Sequence, residues 1–315
     1  MRILRDLPGV AFVGFHDARP ERAEQVAREL DVRSFADVGD LVDACDALTV
    51  VVPTPSHYVV ARAALERGRH LLIEKPLTAT LAEADELLAI AERAGALVQT
   101  GHVERFNRAI RAAMPYVDRP RFVESDRLAP FSPRGADVAV VLDLMIHDID
   151  LILTLVGEPV DSVSAAGIPV LTPFVDIANA RLGFSSGAVA NITASRVSRE
   201  RMRKLRIFQQ SGYLSLDLAS GEGEFYRLRS DLDLTALARG PLAIEAFVER
   251  VPIGAPEGEP LRLEFESFLA AVQGRHAVTV TGRAGRDALE VALRIQSEIE
   301  RALAVAVQAA GGSRA

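Results

Sequence analysis

The sequence has one cysteine, Cys45, among its 315 residues. An internal disulfide is therefore excluded, and a reducing compartment is expected. No stretch reaches the roughly 18 uninterrupted apolar residues of a membrane span. The most apolar segment, 138–156, is interrupted by three aspartates and a histidine, and the chain does not open with a signal or transit peptide pattern. We therefore expect a cytoplasmic protein without a membrane partner.

An excess of positive charge is also lacking. The formal net charge is -7 and the pI is about 5.5, with no basic stripe along the chain. A nucleic-acid partner is therefore not favoured. Hydrophobic residues make up 49% of the chain and charged residues 25%, which is ordinary for a soluble protein. The length suits two domains.

The first third of the chain alternates short β-branched runs with amphipathic helical patterns. This alternation predicts βαβ units and a doubly wound parallel sheet, an α/β fold. The predicted strands are 11–15, 47–52, 70–74 and 96–100, and the predicted helices are 20–30, 56–68 and 81–95.

From about residue 121 the pattern changes. A long helix over 138–156 is followed by six short strands separated by Gly and Ser turns, and two helices close the chain. Alternation of polar and apolar residues predicts a mostly antiparallel sheet covered on one face. We therefore expect a dinucleotide-type domain over 1–120 and an α+β domain over 121–315.

In doubly wound sheets, ligands bind outside the carboxyl ends of the strands. Asp17 follows the first predicted strand. An acid at this place hydrogen-bonds the adenosine ribose of NAD and disfavours the 2′-phosphate of NADP. An ordinary turn aspartate is the alternative.

Two further strand ends supply candidates. Pro53, Thr54 and His57 follow the run ALTVVV, where helix capping by Ser56 is the alternative function of the loop. Glu74 and Lys75 end the run HLLIEK; a lysine held there could donate a proton, although many such lysines lie on the surface. We assign these residues to the cofactor side of a site.

The long helix carries the most informative pattern. Asp143, His147 and Asp150 follow at i, i+4 and i+7, which places them on one face of a helix that is otherwise almost entirely apolar. Burying ionisable groups costs several kcal/mol unless they are paired. The stripe therefore indicates a histidine base oriented by a carboxylate, a structural hydrogen-bond network, or a metal site, although no second ligand cluster supports a metal.

Three motifs together resemble the Gfo/Idh/MocA oxidoreductases in order and spacing: EKPLTATLAEADELL, QTGHVERFNRA and LDLMIHDID. The resemblance covers nearly the whole chain. It implies a Rossmann domain that binds NAD(P) and a second domain whose open sheet often forms a homo-oligomer interface. It also implies that Lys75, Asp143 and His147 surround the substrate carbon that faces the nicotinamide.

Within that family, the segment 124–153 is most similar to members that oxidise the 3-hydroxyl of UDP-N-acetylglucosamine. We therefore expect an NAD-dependent dehydrogenase of a sugar, with a non-nucleotide sugar or polyol as the alternative. Guanidinium groups match phosphate oxygens, and surface ion pairs are the alternative for each arginine. The candidate substrate-binding residues are Arg105, Asn107, Arg127, Asp150 and Arg196, with Arg134 also available.

The sequence also lacks a GxGxxG loop. Its first residues, MRILRDLPG, have the pattern of the last turns of a helix, which in the resembling family follow a strand and that loop. We expect that Met1 is an internal residue or a misassigned start and that about 20 residues precede it. The alternative is a non-catalytic remnant that acts as a binding or scaffolding subunit.

Overall fold

The computed structural model describes residues 1–133, 135, 137–229 and 247–312. The chain divides into two compact units. The first unit comprises Met1–Val103 and Leu261–Leu289, and the second comprises Glu104–Pro260 and Glu290–Ala315.

Helices and strands alternate in the first unit, and strands dominate the second. The helices are α1 (Arg2–Arg5), α2 (Pro20–Leu30), α3 (Val38–Asp43), α4 (His57–Leu65), α5 (Leu81–Ala94), α6 (Arg108–Ala113), α7 (Ile146–Val156), α8 (Pro260–Val272) and α9 (Gly282–Gly312). The strands are β1 (Ala47–Val50), β2 (His70–Glu74), β3 (Val98–Gly101), β4 (Phe122–Leu128), β5 (Val160–Ile168), β6 (Ile177–Phe184), β7 (Val189–Ser195), β8 (Met202–Gln209), β9 (Gly212–Asp217), β10 (Glu222–Leu228) and β11 (Val248–Ile253).

The first unit is built on a parallel sheet in the order β1-β2-β3. Its βα connections confirm the predicted α/β fold. Helix α5 begins with a capping box, in which the Thr80 hydroxyl accepts from the Glu83 N–H and the Glu83 carboxylate accepts from the Thr80 N–H. Gly95, at φ 65°, ends the same helix in the left-handed conformation that glycine adopts without strain.

The predicted strand over 11–15 does not form a ladder. Only Phe15 pairs, through a parallel bridge to Ser34 with N–H···O distances of 3.0 and 2.8 Å. Gly14 approaches the carbonyl of Arg33 so closely that a Cβ would lie 2.5 Å from it. Among the described residues, the predicted strand 11–15 therefore contributes the Phe15 bridge and no β-ladder.

Helix α8 returns to the first unit after some 160 residues of the second. Phe265 and Phe268 pack in one buried cluster with Leu72 of the parallel sheet and with Ile3 and Leu7. The single domain boundary expected near residue 120 therefore differs from the observed division. The amphipathic pattern predicted helix α8. The pattern shows that one face of the helix is buried, but it does not show which segment of the chain covers that face.

The second unit is built on an eight-stranded sheet in the order β11-β10-β9-β8-β4-β7-β6-β5. The β4–β7 pair is parallel and the other neighbouring pairs are antiparallel, which confirms the mostly antiparallel sheet. Along β4, Val123, Ser125 and Arg127 are buried and the alternate residues are partly exposed. Helix α7 packs against β4 and β7.

The long helix predicted over 138–156 has two parts. Residues Val141–Met145 form a π-helical turn, and α7 continues from Ile146 to Val156. Wide π turns inside helices occur frequently at functional sites. Among the residues described, no helix is long and apolar enough to cross a membrane, and no group of three or more His, Cys, Asp or Glu side chains could hold a metal.

Candidate active site

The Asp–His pair lies where the π turn meets α7. Asp143 is in the π turn and His147 is in the first turn of α7, and both are partly exposed. The next acids along the helix, Asp148 and Asp150, are each 1% exposed. Two ionisable residues are therefore accessible from outside, and two are buried in the second unit.

Asp150 is neutralised by Arg105. The guanidinium donates from Nε to Oδ2 at 2.6 Å and from Nη2 to Oδ1 at 2.8 Å, with 14% of the arginine side chain exposed. Parallel double hydrogen bonds of this kind are among the strongest in proteins. The i, i+7 spacing places Asp150 on the same helix face as Asp143. Both of its carboxylate oxygens nevertheless accept hydrogen bonds from Arg105.

Asp148 is neutralised by Arg127 of β4. The guanidinium donates to Asp148 Oδ2 at 2.6 Å and Oδ1 at 3.0 Å, and to Glu104 Oε1 at 2.9 Å. Burial would lower the pKa of Arg127, but the two carboxylates outweigh it and raise that pKa above its usual value. Arg127 is therefore a buried cation between two buried carboxylates, and the partly exposed Arg203 also lies 3.5 Å from Glu104 Oε1.

Asn107 and Arg196 are also engaged within the second unit. Asn107 caps α6 by accepting from the Ala109 N–H at 3.0 Å, and its amide donates to Glu104 and to the carbonyl of Leu218. Arg196, 3% exposed, donates to two main-chain carbonyls. The substrate-binding roles predicted for these residues stay predictions, and Arg134 lies outside the described residues.

In the first unit, Asp17 follows the Phe15 bridge and keeps 31% of its side chain exposed. Its Oδ1 accepts from the Arg19 N–H at 2.9 Å. This main-chain hydrogen bond is the main reason why the pKa of Asp17 is lowered, and the nearby Arg19 guanidinium contributes. The side chain is therefore anionic and accessible to a ligand hydroxyl.

The loop after β1 places its three candidates differently. Pro53 is exposed and Thr54 is partly exposed, whereas His57 is 1% exposed. The ring nitrogens of His57 face the carbonyls of Pro76 and Val52 at 3.0 and 2.8 Å. Ser56 precedes α4 without a side-chain capping bond in the described residues. His57 thus ties the loop to the segment after β2.

Glu74 ends β2, and Lys75 follows it directly. Both are partly exposed, and the peptide bond between Lys75 and Pro76 is cis. Gly101, at the end of β3, allows Glu74 to pack closely, since a Cβ there would lie 3.1 Å from the Glu74 carboxylate. The structure therefore places Lys75 at a carboxyl end of the parallel sheet, as predicted.

The residues of the first unit fit the adenosine ribose of NAD. The exposed carboxylate of Asp17 suits the adenosine ribose hydroxyls, and Pro53 and Thr54 lie accessibly beyond the carboxyl end of β1. The 315 residues contain no GxGxxG loop, so contacts to the pyrophosphate are assigned to no residue of this chain. The residues present thus fit the ribose of the cofactor.

Asp148 and Glu104 were not predicted as members of the site. The signal that could have identified Asp148 is the apolar composition of its helix. An acid in an almost wholly apolar helix needs a buried cation as partner. The sequence shows that such a partner is required, but it does not show that Arg127, on a strand 21 residues earlier, provides it.

Comparison with known proteins identifies similar oxidoreductases. Residues 1–102 match the Gfo/Idh/MocA oxidoreductase family with its NAD-binding Rossmann fold, and residues 108–215 match the Gfo/Idh/MocA C-terminal domain. The UDP-N-acetylglucosamine 3-dehydrogenase of Acidithiobacillus ferrooxidans is 38% identical over 91% of this chain and 89% of its own length. The scyllo-inositol 2-dehydrogenase (NAD(+)) of Bacillus subtilis is 31% identical over 62% of this chain and 63% of its own length.

Solved structures show the same relationship. A structure of the Acidithiobacillus ferrooxidans UDP-N-acetylglucosamine 3-dehydrogenase GnnA superposes with a TM-score of 0.83 at 36% identity, covering 92% of this chain and 90% of that one. A probable dehydrogenase from Thermotoga maritima, at 22% identity and a TM-score of 0.76, shares the fold. The chain belongs to the Gfo/Idh/MocA family of NAD-binding oxidoreductases.

Proposed function

We propose that this chain oxidises the 3-hydroxyl of UDP-N-acetylglucosamine to a ketone. The observation that carries an oxidation of this type is the partly exposed pair Asp143 and His147, on a helix whose other two acids are neutralised by arginines. The nucleotide sugar is supported by the similarity to the Acidithiobacillus ferrooxidans enzyme over 91% of this chain.

His147 is proposed as the base. A neutral imidazole accepts the hydroxyl proton on one ring nitrogen, while the other donates to a carboxylate that fixes the tautomer. Asp143 lies about one helical turn before His147 and would supply that carboxylate. NAD, when bound, supplies the hydride acceptor.

Lys75 is proposed to donate a hydrogen bond to a substrate hydroxyl. An ammonium group stabilises the negative charge that develops on oxygen as its proton leaves. Arg105 keeps the substrate-binding role predicted for it, since 14% of its side chain is exposed, compared with 4% for Arg127 and for Arg196. Asp17 would hold the adenosine ribose and favour NAD over NADP.

A homo-oligomer through the sheet of the second unit remains part of this proposal. Its support is a ladder of partly exposed aromatic rings across four strands, with neighbouring centroids 5.7, 5.3 and 4.6 Å apart. The rings belong to Phe122, Phe208, Tyr213 and Tyr226. Light scattering of the purified chain measures its mass directly, and a monomer would contradict this part.

The test of the function is a substrate panel. The purified chain is incubated with NAD and, separately, UDP-N-acetylglucosamine, N-acetylglucosamine, myo-inositol or scyllo-inositol, and NADH formation is followed. We expect turnover with the nucleotide sugar alone. Preferred turnover of an inositol would instead favour the polyol alternative, which the 31% identity to the inositol enzyme motivates. No NAD binding by calorimetry would contradict the proposed turnover by the 315-residue chain.

A further inference from the structure

Arg196 holds the segment that leads into the helix of Asp143. It follows β7 directly, and 4% of its side chain is exposed. Nη1 donates to the carbonyl of Gly135 at 2.5 Å, and Nη2 donates to the carbonyl of Val138 at 2.6 Å. The planar fork of a guanidinium can engage two such acceptors at once, whereas an ammonium group is a point donor.

Asp176 fixes the arginine from the other side. This aspartate is fully buried, and its Oδ1 lies 3.8 Å from Arg196 Nε. Its carboxylate also accepts from the N–H groups of Val170, Leu171 and Thr172 at 2.7 to 2.8 Å. A buried cation needs such a counter-charge. The arginine is therefore held by hydrogen bonds to two main-chain carbonyls and by an ion pair with one buried carboxylate.

Gly135, which Arg196 contacts, lies against the carboxylate of Asp143. Gly135 has φ +78°, and a Cβ built on it would lie 2.7 Å from Asp143 Oδ2 and 3.1 Å from its Cγ. A further hydrogen bond holds the start of this helical segment, since the N–H of Val140 donates to the carbonyl of Val175 at 2.9 Å. The main chain of Gly135 thus forms one wall around this carboxylate.

We infer that Arg196 is a positioning residue that holds Gly135 against Asp143 and thereby orients the Asp143 carboxylate toward His147. The inference rests on the proposed function, because it gives Arg196 the role of positioning the proposed base, His147, through Asp143. It does not give Arg196 a contact with the substrate. A direct phosphate contact, predicted from the sequence, is the competing role. The two roles differ in what they change: orientation of the base changes kcat, whereas a phosphate contact changes KM.

The first readout does not require turnover. We compare the ring ¹⁵N spectrum of His147, assigned with the His147→Asn variant, in wild type, Arg196→Lys and Arg294→Lys. Arg294 is the matched control, since it also donates to two main-chain carbonyls of the second unit, Val160 and Asp161, at 2.7 and 2.9 Å. We expect one dominant neutral tautomer in wild type and in Arg294→Lys, and mixed tautomers in Arg196→Lys.

The second readout is kinetic. Arg196→Lys should lower kcat for UDP-N-acetylglucosamine about tenfold or more with KM within about twofold, and Arg294→Lys should change neither. In Arg196→Ala, added guanidinium should restore part of kcat. If Arg196→Lys does not fold, Gly135→Ala, which pushes a methyl group toward Asp143, should change the tautomers in the same way.

The inference is overturned if Arg196→Lys keeps both the wild-type ring spectrum and kcat. A raised KM with an unchanged spectrum and kcat also overturns it, in favour of the phosphate contact. If wild type turns over no sugar nucleotide, the proposed function fails, but the ring spectra still decide whether Arg196 orients the base.

Discussion

Arg105 and Asp150 form a bidentate ion pair in which both carboxylate oxygens accept from the guanidinium, at 2.6 and 2.8 Å. Because Asp150 is 1% exposed, removal of the arginine would leave a buried charge without compensation. Asp150 is thus neutralised and buried, whereas Asp143 and His147 of the same helical segment are partly exposed. This difference in accessibility supports the proposal that Asp143 and His147 are the catalytic residues of this helix.

Replacement of His147 by Ala should lower kcat for UDP-N-acetylglucosamine by about 10²- to 10⁴-fold, since the base that accepts the hydroxyl proton is lost. The measurement is steady-state NADH formation, with circular dichroism to show that the variant folds. The exposed His276 supplies the control, and His276→Ala should retain wild-type turnover. Near-normal turnover of His147→Ala would remove His147 from the mechanism.

Lys75→Met should lower kcat by about 10²-fold or more, because one donor to a developing oxyanion is lost. Lys204 is the matched control, a surface lysine whose ammonium lies 2.7 Å from Asp217 Oδ2. Lys204→Met should leave kcat unchanged. Equal kinetics for the two lysine variants would contradict the role of Lys75.

Arg127→Met should lower the free energy of unfolding by about 3–5 kcal/mol, because it leaves the buried carboxylate of Asp148 without its cation. Glu104 would keep only the partly exposed Arg203, whose Nη1 lies 3.5 Å from its Oε1. Arg206→Met is the control. Arg206 also pairs with a carboxylate, Glu124 at 2.7 Å, but 47% of its side chain is exposed, so the expected loss is below about 1 kcal/mol. Urea unfolding followed by circular dichroism measures both, and similar losses would show that the buried cluster adds no special stability.

Asp176→Asn should destabilise the protein in a pH-dependent way. Burial alone would raise the pKa of Asp176, but hydrogen bonds from Thr172, Val170 and Leu171 outweigh it and lower the pKa from 3.8 to about 2. A lowered folded-state pKa stabilises the fold above the unfolded pKa, and this contribution is lost as the pH falls from near 4 to near 2.

The stability difference between wild type and Asp176→Asn should therefore be largest near neutral pH, at about 2 kcal/mol. It should shrink as the pH falls through this window. Thermal unfolding at a series of pH values measures it, with Asp6→Asn as an exposed control. A difference that stays constant down to pH 2 would show that the charge of Asp176 does not contribute.

Much of the fold follows from local patterns. The short β-branched runs over 47–50 and 70–74 became parallel strands, and the alternation in the second half became an antiparallel sheet. The extended run 11–15 formed only the bridge at Phe15, because ladder formation depends on a neighbouring strand and not on propensity alone. Helix 138–156 was predicted as a helix, but its π turn was not.

The amino-acid sequence singled out Asp143, His147 and Asp150, since ionisable residues at i, i+4 and i+7 in an apolar helix are a local pattern. The catalytic role of Asp143 and His147 came from the family resemblance and stays a prediction. Only the tertiary structure decided which acids of that helix remain accessible. Arg105 and Arg127 neutralise Asp150 and Asp148 from distant positions in the chain, and Arg196 reaches Gly135 across 61 residues. Side-chain periodicity reports which face of a helix a residue occupies, whereas a partner for a buried charge is chosen by packing between segments far apart in the chain.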